Sequence, residues 1–245
     1  MSASEAPALR IAGYPAVWTH LDLNVEDEMA AAVLAETLSL YAIDQPEAWI
    51  DSQALLRERE IADPPYWAIV WTGARAIAAA LLSGPALHGV RVLDLGCGLG
   101  LSGHAAAAGG AMVLFADYLD EPLQFVRASI AAARIADCQV ERIDFTRDRL
   151  EQQFDLILAA DIVYDPSHYE PLATFLDAHL AGDGRVLLTE SLRADARVFL
   201  GELKERGFED RVRPMWVLED GRRERTWLHE LRKEKGVRHL PEKGA

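Results

Sequence analysis

The stretch 91-RVLDLGCGLGLSGHAAAAGG-110 decides the fold. It holds two overlapping glycine patterns. From Asp94 it reads D-x-G-x-G-x-G, a loop suited to a nucleoside that carries a sulfonium, S-adenosylmethionine (SAM). From Gly98 it reads G-x-G-x-x-G (Gly98, Gly100, Gly103), the fingerprint of a loop that seats a pyrophosphate. Both readings place glycines after a buried strand, where Cβ atoms would keep the backbone away from a ligand. Both also want an acid at the end of the next strand for ribose hydroxyls, and Asp117 follows about twenty residues after Gly98. Glycines and acid together leave the choice open.

Three further features favour SAM. Asp94 ends the strand before the first glycine, and a carboxylate aimed at the crevice opposes a diphosphate but suits a sulfonium and an α-ammonium. About ninety residues precede that strand, whereas dinucleotide domains often open with it. The chain also closes with a helix and two strand-like runs, "RVRPMWVLED" and "RTWLHELRK", which suit an antiparallel pair added to the sheet. A nicotinamide-dependent oxidoreductase is the reading these features disfavour.

Outward from the loop, short apolar runs alternate with helical spacing. "AMVLFAD", "CQVERID", "FDLILAAD" and "RVLLTES" read as strands, with helices predicted over 101–108, 121–134 and 168–180. This order predicts an α/β fold with a doubly wound, Rossmann-like parallel sheet. Pro214 marks an edge or a bulge in the terminal hairpin, and "GRRER" (221–225) reads as a solvated turn. Upstream, 16–23 predicts a short strand. The spacing of Met29, Val33, Leu34, Leu38 and Tyr41 predicts a helix over 25–42, with Asn24 as its cap. A second helix is expected over 46–59, stopped by Pro64-Pro65. Residues 1–61 are therefore expected as a helical extension serving as a lid or a substrate-docking element. Residues 62–235 form the main domain, and 236–245 a polar tail.

The bulk composition adds limits. A chain of 245 residues with 50% hydrophobic content can bury a sizeable core. A formal net charge of −14 and no basic stripe argue against nucleic acid and anionic membranes, and suit a basic partner. The two cysteines, Cys97 and Cys138, have neither the number nor the spacing of a zinc site or a disulfide framework. The N-terminus carries no secretory pattern, so the expectation is a cytoplasmic protein without membrane spans.

"VLDLGCGLGLSG" resembles motif I of the seven-β-strand SAM-dependent methyltransferases, over about residues 62–232. "PPYWAIVWTGARAIAAALL" and "LAADIVYDPSHYEPL" resemble the D-x-x-Y protein-lysine methyltransferase branch, in particular the electron-transfer-flavoprotein β-subunit lysine methyltransferase type. The resemblance implies a sheet of order 3-2-1-4-5-7-6, SAM as cofactor and S-adenosylhomocysteine as product. It implies a floor of Asp94, Gly96, Gly98 and Gly100 under the methionine part of SAM, with Asp117 on the ribose. Tyr118 would lie along the adenine, flanked by Asp144 and Phe145. Trp71 would close over the cofactor, Ala160 would supply a backbone contact, and Asp161 and Tyr164 would stand beside the methyl group. The expected acceptor is an amine, foremost a lysine of another protein. The alternative is a small-molecule N- or O-methyltransferase whose N-terminal residues form a lid. No metal is expected.

Overall fold

The computed structural model describes residues 9–28, 32–49, 65–190, 196–219 and 221–234. Strands β1 (Arg10–Ile11), β2 (Tyr14–Asp27) and β3 (Ala32–Ile43) come first. Helix α1 (Thr72–Leu82) leads into β4 (Arg91–Leu95), α2 (Leu101–Ala108), β5 (Met112–Asp117), α3 (Asp120–Ala133) and β6 (Cys138–Arg142). Then follow β7 (Phe154–Ala160), α4 (Tyr169–His179), β8 (Leu180–Glu190), α5 (Ala196–Glu205), β9 (Phe208–Glu219) and β10 (Arg222–Lys233).

The sheet runs β6-β5-β4-β7-β8-β10-β9, with β2 beyond β9. Counted from β4, that is the expected order 3-2-1-4-5-7-6. Strands β6, β5, β4, β7 and β8 are parallel, and β10 inserts antiparallel between β8 and β9. The central strands are apolar on both faces, as parallel strands covered by helices on each side must be. In β4, Val92 joins a core with α1, α2 and α3, while Leu93 and Leu95 join a second core with α4 and α5. The alanine-rich faces of α1 and α2 (Ala76, Ala79, Ala105, Ala106, all fully buried) let those helices pack closely on each other and on the sheet. Pro214 lies just outside the three residues of β9 that pair with β2, so its missing N–H interrupts no bond of that ladder.

The N-terminal extension departs from expectation. The helix predicted over 25–42 falls instead on the end of β2 and on β3, with Met29 and the rest of 29–31 outside the described residues; the two strands pair antiparallel in register from Ala16↔Ile43 to Asp27↔Ala32. The strand expected over 16–23 lies inside β2. Alternation explains the outcome. Leu21, Leu23 and Val25 share one face of β2, and Leu34, Leu38 and Leu40 share one face of β3, with Leu23, Val25 and Leu40 fully buried. Each such burial contributes about 1.5–3 kcal/mol. The helix preference of Ala, Leu and Glu amounts to tenths of a kcal/mol per residue. Val33, counted on the predicted helix's apolar stripe, is 64% exposed. The hairpin starts at β9, where Val25, Glu26 and Asp27 pair with Val217, Trp216 and Met215, and crosses over α1 and α3. At its far end Ser129 Oγ on α3 accepts the Tyr41 N–H at 2.9 Å. Of the second predicted helix, Pro46–Ala48 forms one 3₁₀ turn, and the part from residue 50 lies outside the described residues.

Candidate functional site

Four consecutive parallel strands deliver an aspartate to the same rim. Asp94 is the fourth residue of β4, Asp117 the last of β5, Asp144 follows β6, and Asp161 follows β7. The rim opens into a crevice of about 1010 Å³. All twelve residues singled out from the sequence line it: Trp71, Asp94, Gly96, Gly98, Gly100, Asp117, Tyr118, Asp144, Phe145, Ala160, Asp161 and Tyr164.

The glycine loop is held from beneath by two of these acids. Asp117 accepts the Gly98 N–H at 3.0 Å on one oxygen and the Leu119 N–H at 3.1 Å on the other. Asp94 accepts the Gly103 N–H at 2.8 Å, in the first turn of α2. Gly98 has φ +52°, and a Cβ there would meet the Trp67 carbonyl at 3.1 Å, so a side chain is excluded by conformation and space together. Both acids are nearly buried, at 2% exposure for Asp94 and 5% for Asp117. Burial pushes the Asp94 carboxyl up to about 8, against the lowering effect of the Gly103 bond and with a further rise from Asp117. Burial raises Asp117 too, although backbone bonds from Leu119, Gly98 and Tyr118 counter it. Two such carboxyls favour a cationic guest, which stabilises their charged form, and penalise a diphosphate. Cys97 lies between them, and burial together with their charge pushes its thiol well up, so it is no thiolate nucleophile.

Asp144 is differently employed. Its carboxylate accepts Thr146 N at 3.0 Å, Thr146 Oγ1 at 2.6 Å and Arg147 Nε at 2.8 Å. Burial would raise it, but the bonds from Thr146 and Arg147 outweigh that and hold it below the usual carboxylate range. It therefore closes the turn after β6 as well as facing the crevice. Beside it, Phe145 meets His168 edge-on at 5.7 Å.

At the other end Asp161 has a left-handed backbone, φ 53°, rare for a non-glycine residue and typical of positions held by their surroundings. Its N–H donates to the Thr189 carbonyl at 3.1 Å, and its Oδ2 accepts the Gly73 N–H at 2.8 Å. A Cβ on Gly73 would stand 2.1 Å from Thr189 Oγ1 and 2.5 Å from Asp161 Oδ2. Gly73 thus lets the N-terminus of α1 press on the carboxylate. Three rings lining the same crevice form a series: Trp71 lies 6.1 Å from Tyr66, and Tyr66 lies 5.6 Å from Tyr164, which is 44% exposed. The Trp71 indole N–H donates to the Tyr66 carbonyl at 2.9 Å.

Sequence reasoning missed several members of this site. Gly73 and Thr189 support Asp161 from two other elements, and Tyr66 completes the aromatic series. Ser102, 2% exposed at the start of α2, lines the crevice with an Oγ that has no hydrogen-bond partner among the described residues. The glycine pattern drew attention past Ser102 to Gly103. Among the described residues, no group of three or more His, Cys, Asp or Glu could hold a metal ion.

Similarity to known structures places the fold. A TehB-like SAM-dependent methyltransferase from Corynebacterium glutamicum superposes with a TM-score of 0.52 at 21% identity, covering 68% of this chain and 89% of that one. A ribosomal protein L11 methylase from Lactobacillus delbrueckii gives 0.53 at 24% identity, over 68% and 81%. The fold is therefore that of the SAM-dependent methyltransferases. Within this class the model of the lysine methyltransferase family matches residues 60–206, and the chain belongs to that family. The electron transfer flavoprotein β-subunit lysine methyltransferase of Xenopus laevis is 33% identical over 53% of this chain and 54% of its own length. The protein N-lysine methyltransferase METTL21A of Danio rerio is 37% identical over 57% and 67%. A histidine protein methyltransferase 1 homolog of Rattus norvegicus is 31% identical over 54% and 47%. The chain spans about half the length of the first and last of these relatives.

Proposed function

We propose that this chain is a SAM-dependent protein methyltransferase whose acceptor is a lysine side chain. The observation that carries the reading is the pairing of two sites on one rim: buried carboxyls under the glycine loop, and an aspartate with a left-handed backbone on the crevice it shares with three aromatic rings. The residues present fit the cofactor. Asp94 and Asp117 suit its cationic and ribose ends, and the unpartnered Ser102 Oγ at the start of α2 suits its carboxylate. Gly96, Gly98 and Gly100 leave room for its methionine part, Ala160 offers backbone, and Tyr118, Asp144 and Phe145 line the adenine end.

SAM supplies an activated methyl group on a sulfonium, so the protein's task is to position an amine and exclude water. A lysine with a reference pKa near 10.4 is neutral at pH 7 only on the order of once in 10³·⁴. Asp161 recruits and orients the arriving ammonium, and its bond from Gly73 fixes the carboxylate's direction. Trp71, Tyr66 and Tyr164 form apolar walls that desolvate the amine and so lower its pKa. In this reading the Tyr164 hydroxyl accepts a hydrogen bond from the amine and aims its lone pair. The acceptor protein is expected to be basic overall, given the charge of −14, and the setting cytoplasmic. No helix among the described residues is long and apolar enough to cross a membrane.

The test is incubation of the protein and radiolabelled SAM with a soluble lysate, acid precipitation, and peptide mapping of the label. The expected result is label on lysine in a protein band. Label confined to the acid-soluble fraction would refute the protein acceptor, and label on histidine would refute the lysine.

A further inference from the structure

The tip of the β9–β10 hairpin is the part of the molecule that the proposed site leaves unexplained. One of its faces is apolar and buried: Met215, Val217 and Leu228 join the core against α1. The other face carries Trp216, Arg223, Arg225 and Trp227, with Trp216 opposite Arg225 across the two strands. The Arg223 guanidinium lies 4.0 Å from the centre of the Trp216 ring, and Arg225 lies 5.6 Å from Trp216 and 5.0 Å from Trp227. Glu26 of β2 fixes Arg223 through bonds of 3.0 and 2.6 Å, and Glu28 accepts the Trp216 indole N–H at 3.1 Å. Arg225 makes no ion pair with a carboxylate among the described residues. With Glu26 and Glu28 beside it the cluster is close to neutral as a whole, and what it presents is a preorganised aromatic platform with one guanidinium, Arg225, that no carboxylate among the described residues engages.

Its position is as telling as its chemistry. Trp227 pairs with Glu190, at the C-terminal end of β8, so the hairpin tip overhangs the same rim as the crevice. On the buried side Glu224 Oε2 accepts from Thr72 Oγ1 at 2.9 Å, and the neighbouring Gly73 N–H holds Asp161. Between β7, which ends beside Asp161, and the platform on β10 and β9 lie two to three strand spacings, roughly 10–15 Å. An extended peptide covers that distance in about three to four residues.

We propose that this platform docks the acceptor protein by its acidic residues: the guanidinium of Arg225, framed by Trp216 and Trp227, binds a carboxylate about three or four residues from the target lysine. The inference rests on the lysine-methyltransferase reading and adds a substrate rule to it. The overall charge draws in a basic protein at long range, while the platform selects a local acid beside the lysine. A single-stranded nucleic acid is the competing guest for arginines interleaved with indoles. The acidity of the chain disfavours it, and the test below separates the two.

The probes are synthetic peptides with one lysine and an aspartate, serine or arginine three or four residues away. Wild-type protein should show a kcat/KM about tenfold or more higher for the aspartate peptide than for the arginine peptide. In Arg225→Glu that order should invert, with SAM affinity unchanged by titration. Arg225→Gln is the milder variant should charge reversal unfold the hairpin, and it should abolish the preference. In the wild type the preference should also fall steeply in 0.5 M salt. Peptides methylated without regard to the flanking charge, or a preference retained in both variants, would overturn the docking rule alone. Lysine peptides left unmethylated by a protein that binds SAM would overturn the lysine reading with it. Single-stranded RNA that inhibits the wild type but not Arg225→Gln would reassign the platform to nucleic acid.

Discussion

The replacement Asp94→Asn tests the electrostatics on which the cofactor assignment depends. In the free protein burial lifts this carboxyl from the usual 3.8 to about 8. The folded state therefore binds a proton more tightly than the unfolded chain throughout that interval. Stability contributed by this proton is full below the unfolded value and is lost as pH rises towards the folded one, with a slope of up to about 1.4 kcal/mol per pH unit. By pH 7 the loss amounts to about 4 kcal/mol, and above pH 8 it levels off. Asparagine keeps an acceptor for the Gly103 N–H and never ionises, so the variant should gain stability relative to wild type as pH rises from 5 to 8. Urea unfolding across that range measures the difference. Binding should move the other way. Capture of a cation by Asp94 ionises the carboxyl, so below pH 8 the wild type should release up to one proton on binding SAM, and its affinity should rise with pH. The variant should bind SAM about ten- to a hundredfold more weakly, the size of one partly screened charge contact. Calorimetry in buffers of different ionisation enthalpy counts the proton. Equal SAM affinity in the two proteins, or a stability difference that does not change with pH, would refute the assignment.

Three further outcomes are expected. Asp161→Asn keeps the acceptor for Gly73, so SAM titration should change by less than about twofold while turnover falls by about 10² or more; unchanged turnover removes Asp161 from the mechanism. Gly73→Ala places a methyl 2.1 Å from Thr189 Oγ1, so both the melting temperature and turnover should drop, and a variant with wild-type values for both would show that the helix end is not pressed against the acid. Leu23→Ala, at a fully buried position in β2, should cost about 2–5 kcal/mol in chemical denaturation. A silent substitution there would mean the N-terminal hairpin is a detachable lid, not part of the core.

The parallel unit was legible because each of its signals is local. Short runs such as "VLDLG" and "DLILAA" are buried on both faces whatever surrounds them, and glycines after the first strand have few other uses. Alternation with helices implied a doubly wound parallel sheet, and the strand order came from the family resemblance. The N-terminal hairpin was not legible at the same level, because its pattern was ambiguous between periods of 2 and 3.6. In 33–41 the apolar residues fit both, and the strand is selected by burial against α1 and α3 and by pairing with β9, where Val25 meets Val217 nearly two hundred residues away. The site shows the same division. The acids and glycines announce themselves by sitting at strand ends. Gly73 and Thr189 do not, since what makes them necessary is a contact between α1, β7 and β8 that no window of sequence contains.

The four rim aspartates also show why residue type alone assigns so little. All four stand at equivalent places after or near the ends of parallel strands, yet their surroundings set them apart. Asp94 and Asp117 hold backbone amides while burial makes their negative charge costly, so each gains from a positively charged or hydrogen-donating guest. Asp144 already has Thr146 and Arg147, and its depressed pKa leaves it little to gain. Asp161 is half-buried, its left-handed backbone held by Thr189 and its carboxylate by Gly73. The strain it carries, on the order of 1–3 kcal/mol, persists because two other elements fix it. In the proposed reading, Asp161 at the mouth of the crevice meets the incoming amine, and Asp94 and Asp117 hold the donor. The boundary between them falls at β4 and β7, where the chain's winding reverses and the sheet's crevice opens.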